Sequence, residues 1–383
     1  MPRTTLFILF DALGYDLIEA TGFLGDLAPH RYRLRTVLGY AAATIPTALS
    51  GTSPAEHGHW MLYSYAPDAS PFRHLHFLRH LPGAIAASPR FRARLARMVA
   101  RRLHWSADLD LLNLPLELLS YLDCPARRHP LEPGGLSPTT SAVDRLHTEL
   151  VPTFISAPRA TDAESFQQAS AALQAGSVAF ALIRAAELAP LLRRAGPRSE
   201  AVREKLRWYE ARVRQLHEVA VQGGGAVRLY VGTDRGVTEV IRAVDIRSRV
   251  DAAGLTPVRD YFALYDATMA RFWFADAAAR HAVMGALADV THGRWLADDQ
   301  LRMEGVHFPD HRYGQAIFLL EPGIVIAPSY QEAEAPAATD GYHPDHSGSW
   351  GAFCASIPLE IPPRLVGDLA ALMAEGARWT KAG

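Results

Sequence analysis

The run Leu6-Phe7-Ile8-Leu9-Phe10 has no polar face, and it ends in Asp11-Ala12-Leu13-Gly14-Tyr15. Five consecutive apolar residues are the pattern of a strand covered on both sides, as in a parallel sheet. Open α/β sheets hold ligands outside the carboxyl ends of their strands, so Asp11 is a candidate site residue by position. Two later runs repeat the theme. Ser-Val-Ala-Phe-Ala-Leu-Ile spans 177–183, and Ala-Val-Arg-Leu-Tyr-Val-Gly spans 226–232 before Thr233-Asp234. Helical patterns at 163–175 and 199–221 separate them. The second opens with Ser199-Glu200 and places Val202, Leu206, Tyr209, Val213, Leu216 and Val219 at three- and four-residue steps. Strand alternating with helix predicts an α/β fold with a mostly parallel central sheet flanked by helices.

Two segments break the rhythm. Residues 65–135 hold an arginine-dense stretch (Arg92, Arg94, Arg97, Arg101, Arg102), a leucine-rich stretch at 109–122 and a turn-rich exit with Pro133-Gly134-Gly135. This predicts a helical insertion or cap. Its arginines read as a solvated face, or as an anion-recognising one if they face the cleft. Residues 256–330 predict a small α+β subdomain. Phe272-Trp273-Phe274 reads as a strand and 277–290 as a helix. The runs 315–320 and 324–327 read as a strand pair joined through Glu321-Pro322-Gly323. The core is then residues 1–64, 136–255 and 331–383.

Composition narrows the function. The 383 residues carry 39 basic and 40 acidic side chains, a net charge of −1, which excludes a globally basic nucleic-acid binder. Only Lys205 and Lys381 are lysines, so 37 of the basic residues are arginines, whose planar fork suits phosphate, sulfate or carboxylate. The two cysteines, Cys124 and Cys354, have no metal-ligand spacing. Together with the lack of any signal-like or membrane-length apolar stretch, they predict a cytoplasmic protein with no membrane and no nucleic-acid partner. The sequence leaves the oligomeric state open.

Four segments carry the chemistry: Asp11; Thr44-Ile45-Pro46 with Ser50-Gly51 and Pro54-Ala55-Glu56-His57-Gly58; Thr233-Asp234-Arg235-Gly236; and Asp340-Gly341-Tyr342-His343-Pro344-Asp345-His346. In order and context they resemble the alkaline phosphatase superfamily, most closely its nucleotide pyrophosphatase/phosphodiesterase branch. Asp310-His311-Arg312-Tyr313-Gly314-Gln315 also resembles the segment before that branch's last metal ligand. The resemblance spans most of the chain outside 65–135. It implies phospho- or sulfo-ester hydrolysis or transfer at two divalent ions, with Thr44 as the nucleophile.

The ligand set departs from that pattern. Asp11, Thr44 and Asp234 match the nucleophile-side metal. Arg235 stands where a histidine follows the aspartate, and Asp340 stands where a histidine precedes Gly-Tyr. Ala189 and Arg193 replace the middle Asp and His. The implied cofactor is therefore one divalent ion (Zn, Mn or Mg), held by Asp11, Thr44, Asp234, Asp340 and His343, or none. Arginine cannot ligate a metal, but it can oppose a phosphate or sulfate oxygen. Arg193 and Arg235 thus support an anion clamp for a small phosphate- or sulfate-bearing substrate. Alternatively they merely neutralise Asp11, Asp234 and Asp340. An enzyme, a lapsed member that binds an anionic ligand, and a repurposed transferase or lyase all remain open. Simpler roles compete residue by residue. Asp11 could stabilise a turn, Thr44 could cap the helix that Pro46 enters, and His57 could be structural.

Overall fold

The computed structural model describes residues 3–381 except 108, 112 and 150. Six strands form the central sheet, in the order His30–Leu34, Gly351–Ala355, Ala226–Thr233, Arg3–Phe10, Phe180–Ala185 and Thr153–Ile155. Arg3–Phe10 lies parallel to both of its neighbours, and Gly351–Ala355 alone runs against the rest. The expected α/β fold with a mostly parallel sheet is what the chain adopts.

The opening run explains why. Residues 6–10 are fully buried, and they alternate between two cores. Leu6, Ile8 and Phe10 pack under the helices Asp162–Gln174 and Glu200–Gln222. Phe7 and Leu9 pack under Ala41–Ser50 and Asp368–Lys381. Both faces of the strand are apolar because both are covered. Each such side chain contributes about 1.5–3 kcal/mol relative to exposure.

A second, four-stranded sheet has the order Tyr261–Tyr265, Met269–Phe274, Ala316–Leu320, Gly293–Trp295, with antiparallel pairing throughout. It shares an apolar cluster with the arginine-dense helix Pro89–Arg102 and the leucine-rich stretch after it. The expected pairing of 315–320 with 324–327 does not occur. Ala316–Leu320 already has a partner on each edge, so Ile324–Ile326 instead pairs in parallel with Arg242–Val244. The helix expected at 277–290 stops at Ala286, just past Gly285. Both cysteines are free and buried.

Candidate functional site

The carboxyl ends of three neighbouring strands bring Asp11, Arg184 and Asp234 together. Asp11 follows Phe10, Asp234 follows Thr233, and Arg184 lies near the end of the strand between Thr153–Ile155 and Arg3–Phe10. The chain turns at Ala12 with φ 63°, a left-handed value rare for alanine. The turn is held in place because the Ala12 N–H donates to Asp234 Oδ1 at 3.0 Å. Gly14 is needed just beyond, since a Cβ there would lie 2.7 Å from Gly236 Cα.

Thr44 sits one turn into the Ala41–Ser50 helix, not at its cap. The cap residue is Tyr40, whose extended backbone follows Gly39 at φ 132°, and the Thr44 N–H bonds to the Tyr40 carbonyl. The Thr44 hydroxyl donates to Asp234 Oδ2 at 2.5 Å, and Thr44 is wholly buried. Pro46, which the sequence places near a helix start, falls inside the helix.

The acids and arginines form one network. Arg184 grips Asp11 through Nε to Oδ1 at 2.9 Å and Nη2 to Oδ2 at 2.5 Å. Arg235 reaches both Asp234 (through Nη1) and Asp340 (through Nε). Arg193, from the helix Leu188–Ala195, gives Nη2 to Asp340 Oδ1 at 3.1 Å and Nη1 to Glu332 Oε1 at 3.1 Å. Three aspartates thus face three arginines. All three aspartates and Arg235 are buried. Burial opposes ionisation of Asp340, but Arg235 and Arg193 outweigh it and hold its carboxyl below the usual carboxylate range. Burial pushes the Asp234 carboxyl up, with Arg235 working against it. Burial alone would make Arg193 and Arg235 easier to deprotonate; the aspartates beside them overcome that and raise both.

A divalent ion does not fit these acids as they are arranged. It would need carboxylate oxygens that guanidinium nitrogens already hold, and it would sit beside their positive charge. Among the described residues, Asp11, Asp234 and Asp340 do not converge as a three-ligand group. His343 does not join them either. Its Nε2 lies 3.7 Å from Glu304 Oε1 and its Nδ1 3.5 Å from Asp345 Oδ2. Glu304, His343 and Asp345 do have converging donor atoms, yet Arg35 bonds Glu304 and Asp345 at 2.7 Å each. His346, the other histidine of that loop, lines a separate groove beside Gly14. The ligand set expected from sequence is therefore not assembled; arginine stands against each acid instead.

Arg193, Arg235 and Asp340 line a cavity of about 270 Å³ between the central sheet and the four-stranded sheet. Ala41 and Ala42, the first residues of the Thr44 helix, form part of its wall. Tyr40, Met61, Tyr63, Leu114, Leu264 and Tyr330 supply an apolar and phenolic wall, and the Asp266–Arg271 pair (2.7 Å) lies on it too. Among the described residues of the 65–135 segment only Leu114 lines the cavity, and no arginine of the arginine-dense helix does.

His57 is buried. The His59 N–H donates to its Nδ1 at 3.1 Å, so its Nε2 carries the proton and faces Thr47 Oγ1 at 3.0 Å. Burial, and then the nearby His59, push its pKa down to about 3. It is a neutral brace beneath the Thr44 helix.

Sequence reasoning missed Arg184. A signal was present, since Ala-Leu-Ile-Arg-Ala puts a charge inside an otherwise apolar strand. Arg271 in Met-Ala-Arg-Phe-Trp-Phe carries the same signal and is also buried. Such a residue must meet a partner indoors.

No protein-family model matches the chain, and no curated protein matches it by sequence. By fold it is similar to human ectonucleotide pyrophosphatase/phosphodiesterase 5, with a TM-score of 0.67 at 11% identity, covering 98% of this chain and 95% of that one. The murine ectonucleotide pyrophosphatase/phosphodiesterase 5 gives 0.66 at 12% identity with the same coverage. An inactive threonine-to-alanine form of the murine protein, in complex with AMP, gives 0.67 at 12% identity. The likeness is one of fold: the chain has the alkaline phosphatase-like architecture of these phosphodiesterases over nearly its whole length.

Proposed function

We propose that this chain binds a small phosphate- or sulfate-bearing ligand at a site where guanidinium groups supply the positive charge. One observation carries the reading. Arg235 uses Nε and Nη1 on Asp340 and Asp234, while its Nη2 has no hydrogen bond to a described residue, and Arg235 lines the cavity with Arg193. A fork with an unused donor at a cavity wall is suited to an anionic oxygen. The pairing of Arg235 and Arg193 with aspartates holds them in place before the ligand arrives. The remaining wall fits an apolar or aromatic moiety, and the volume limits the ligand to a small molecule. AMP, the ligand of the murine fold relative, belongs to this class. Titration of the purified chain with inorganic phosphate, sulfate and AMP in the presence of chelator tests the proposal. Saturable binding that weakens at least about tenfold in Arg193→Ala is the expected result. No binding of any of the three would reject it.

A second reading rests on Thr44. Its hydroxyl lies 2.5 Å from Asp234 Oδ2, so the carboxylate is placed to take the proton as the Thr44 oxygen bonds to phosphorus and the ester oxygen leaves. Among the described residues, the carboxylates lining the cavity, Asp340 and Asp266, are both held by arginines rather than free to activate water, which favours transfer to another acceptor over hydrolysis. Turnover of a phospho- or sulfo-ester should vanish in Thr44→Ala. Unchanged turnover in that variant would remove Thr44 from the chemistry.

A further inference from the structure

Among the described residues, no arginine of the arginine-dense segment lines the cleft, and the segment's charge is unlike that of the rest of the molecule. Residues 69–107 contain eight arginines and no acidic residue. The remaining chain carries 31 basic against 40 acidic residues, a net charge of −9. Six of the eight, Arg73, Arg90, Arg94, Arg97, Arg101 and Arg102, are exposed. None of the six makes an ion pair with a described residue. Arg73 reaches only His74, and Arg97 only the Ala93 carbonyl. Some exposed arginines elsewhere sit on carboxylates, as Arg203, Arg207, Arg214 and Arg249 do, while others, such as Arg194, Arg280 and Arg378, form no ion pair with a described residue; what sets 69–107 apart is that it has no acidic residue of its own.

The same segment also exposes apolar side chains. The helix Pro89–Arg102 buries Leu95, Ala96, Val99 and Ala100 and leaves Met98 57% exposed among Arg94, Arg97 and Arg101. Phe77 and Ile85, on the two preceding helical elements, are 54% and 45% exposed. Unpaired arginines interleaved with exposed apolar groups match the headgroup layer of an anionic bilayer. There guanidinium groups meet lipid phosphates and apolar tips enter the acyl boundary. A nucleic-acid backbone would take the arginines but offers nothing to Ile85 or Met98. The net charge of −9 on the remaining chain would orient the molecule with this segment toward the lipid.

We propose that residues 69–107 form a peripheral docking surface for anionic membranes. Among the described residues no helix is long and apolar enough to cross a membrane, so the contact is with the surface. It departs from the expectation, drawn from apolar run length, of no membrane partner.

The test is co-sedimentation of the full chain with vesicles of phosphatidylcholine alone and of phosphatidylcholine with phosphatidylserine. The expected result is partitioning onto the serine-containing vesicles only, reduced by salt. The combined variant Arg94→Gln, Arg97→Gln, Arg101→Gln should lower partitioning at least about tenfold, since each basic residue near an anionic surface contributes about a fivefold factor. Met98→Ser should lower it severalfold while keeping the salt dependence. All three substituted arginines and Met98 are exposed, so unchanged far-UV circular dichroism and melting show that the variants fold. Absence of partitioning, equal partitioning onto neutral vesicles, or partitioning unchanged in the triple variant would overturn the proposal. So would preferential binding to duplex DNA that ignores Met98→Ser.

Discussion

Arg184 meets Asp11 edge to edge, with Nε 2.9 Å from Oδ1 and Nη2 2.5 Å from Oδ2. The pair bridges adjacent parallel strands at the end where this fold places its chemistry. A bidentate contact of this kind occupies both oxygens of the carboxylate. Arg235 instead holds one oxygen of each of two carboxylates, Asp234 Oδ2 and Asp340 Oδ2. The site is thus a closed set of charges with one open edge, where Arg193 and Arg235 meet the cavity.

Removing Arg235 should cost stability as well as binding. In Arg235→Ala, Asp234 loses the one arginine that pairs with it directly among the described residues, and Asp340 keeps Arg193. Breaking a buried pair typically costs about 3–5 kcal/mol because the remaining charge stays buried. Denaturant unfolding should show a loss in that range, with Arg235→Lys recovering only part of it. A loss under about 1 kcal/mol, the scale of an exposed pair, would show that the network does not hold the fold together.

Arg193 should behave differently. Its side chain is 29% exposed, and Asp340 retains Arg235 without it. Arg193→Ala should cost no more than about 1 kcal/mol in stability while weakening anion binding at least about tenfold. Comparing melting with calorimetric affinity separates the two effects. A variant that loses stability but binds normally would place Arg193 in the scaffold alone.

His57 gives a pH signature. Its folded pKa is about 3 against 6.5 for a free histidine, so the unfolded chain takes up its proton first as pH falls. The neutral brace therefore contributes its full stability above about 6.5 and loses it progressively down to about 3. The lost contribution reaches up to about 5 kcal/mol. Asp340, also lowered, loses its contribution only below the ordinary carboxylate range, so its window lies under that of His57. Unfolding free energy followed from neutral pH to pH 4 should fall less steeply in His57→Gln. An identical slope would mean that His57 is protonated in the fold.

Gly341 should not tolerate a side chain. It follows Asp340 with φ 92°, and a Cβ would lie 2.6 Å from Tyr40 Cζ and 2.7 Å from Thr268 Oγ1. Tyr40 is both the cap residue of the Thr44 helix and a cavity wall. Gly341→Ala should cost about 3 kcal/mol or more by combined strain and overlap, and should weaken ligand binding. Melting at the native temperature would show that the segment shifts freely.

The fold was legible because apolar run length and period are local. Residues 6–10 and 226–232 declared strands; the run 177–183 declared one too, but three residues early at its start, since the strand is Phe180–Ala185 and takes in Arg184; and the helix starting at Ser199-Glu200 declared its own start. The mispaired stretch at 324–327 failed for a non-local reason: nothing in its sequence says that both edges of Ala316–Leu320 are taken. At the site, Asp11, Thr44, Asp234, Arg235, Arg193 and Asp340 were each picked out, and the structure brings them together. Which side chain neutralises which was not readable, because Arg184 and Asp11 are 173 positions apart and meet only through strand order. His343 was grouped with Asp340 by nearness in sequence, whereas its ring faces Glu304 and Asp345.

On the proposed reading, guanidinium groups rather than metal ions meet the anion at the strand ends. Its most direct test is calorimetric titration of AMP into the chain after chelation, repeated after incubation with zinc, and again in Arg193→Ala. The expected result is one saturable site whose affinity is unchanged by chelator or zinc and falls at least about tenfold in the variant. Binding that appears only with zinc, at one or two ions per chain, and that ignores Arg193→Ala would contradict it.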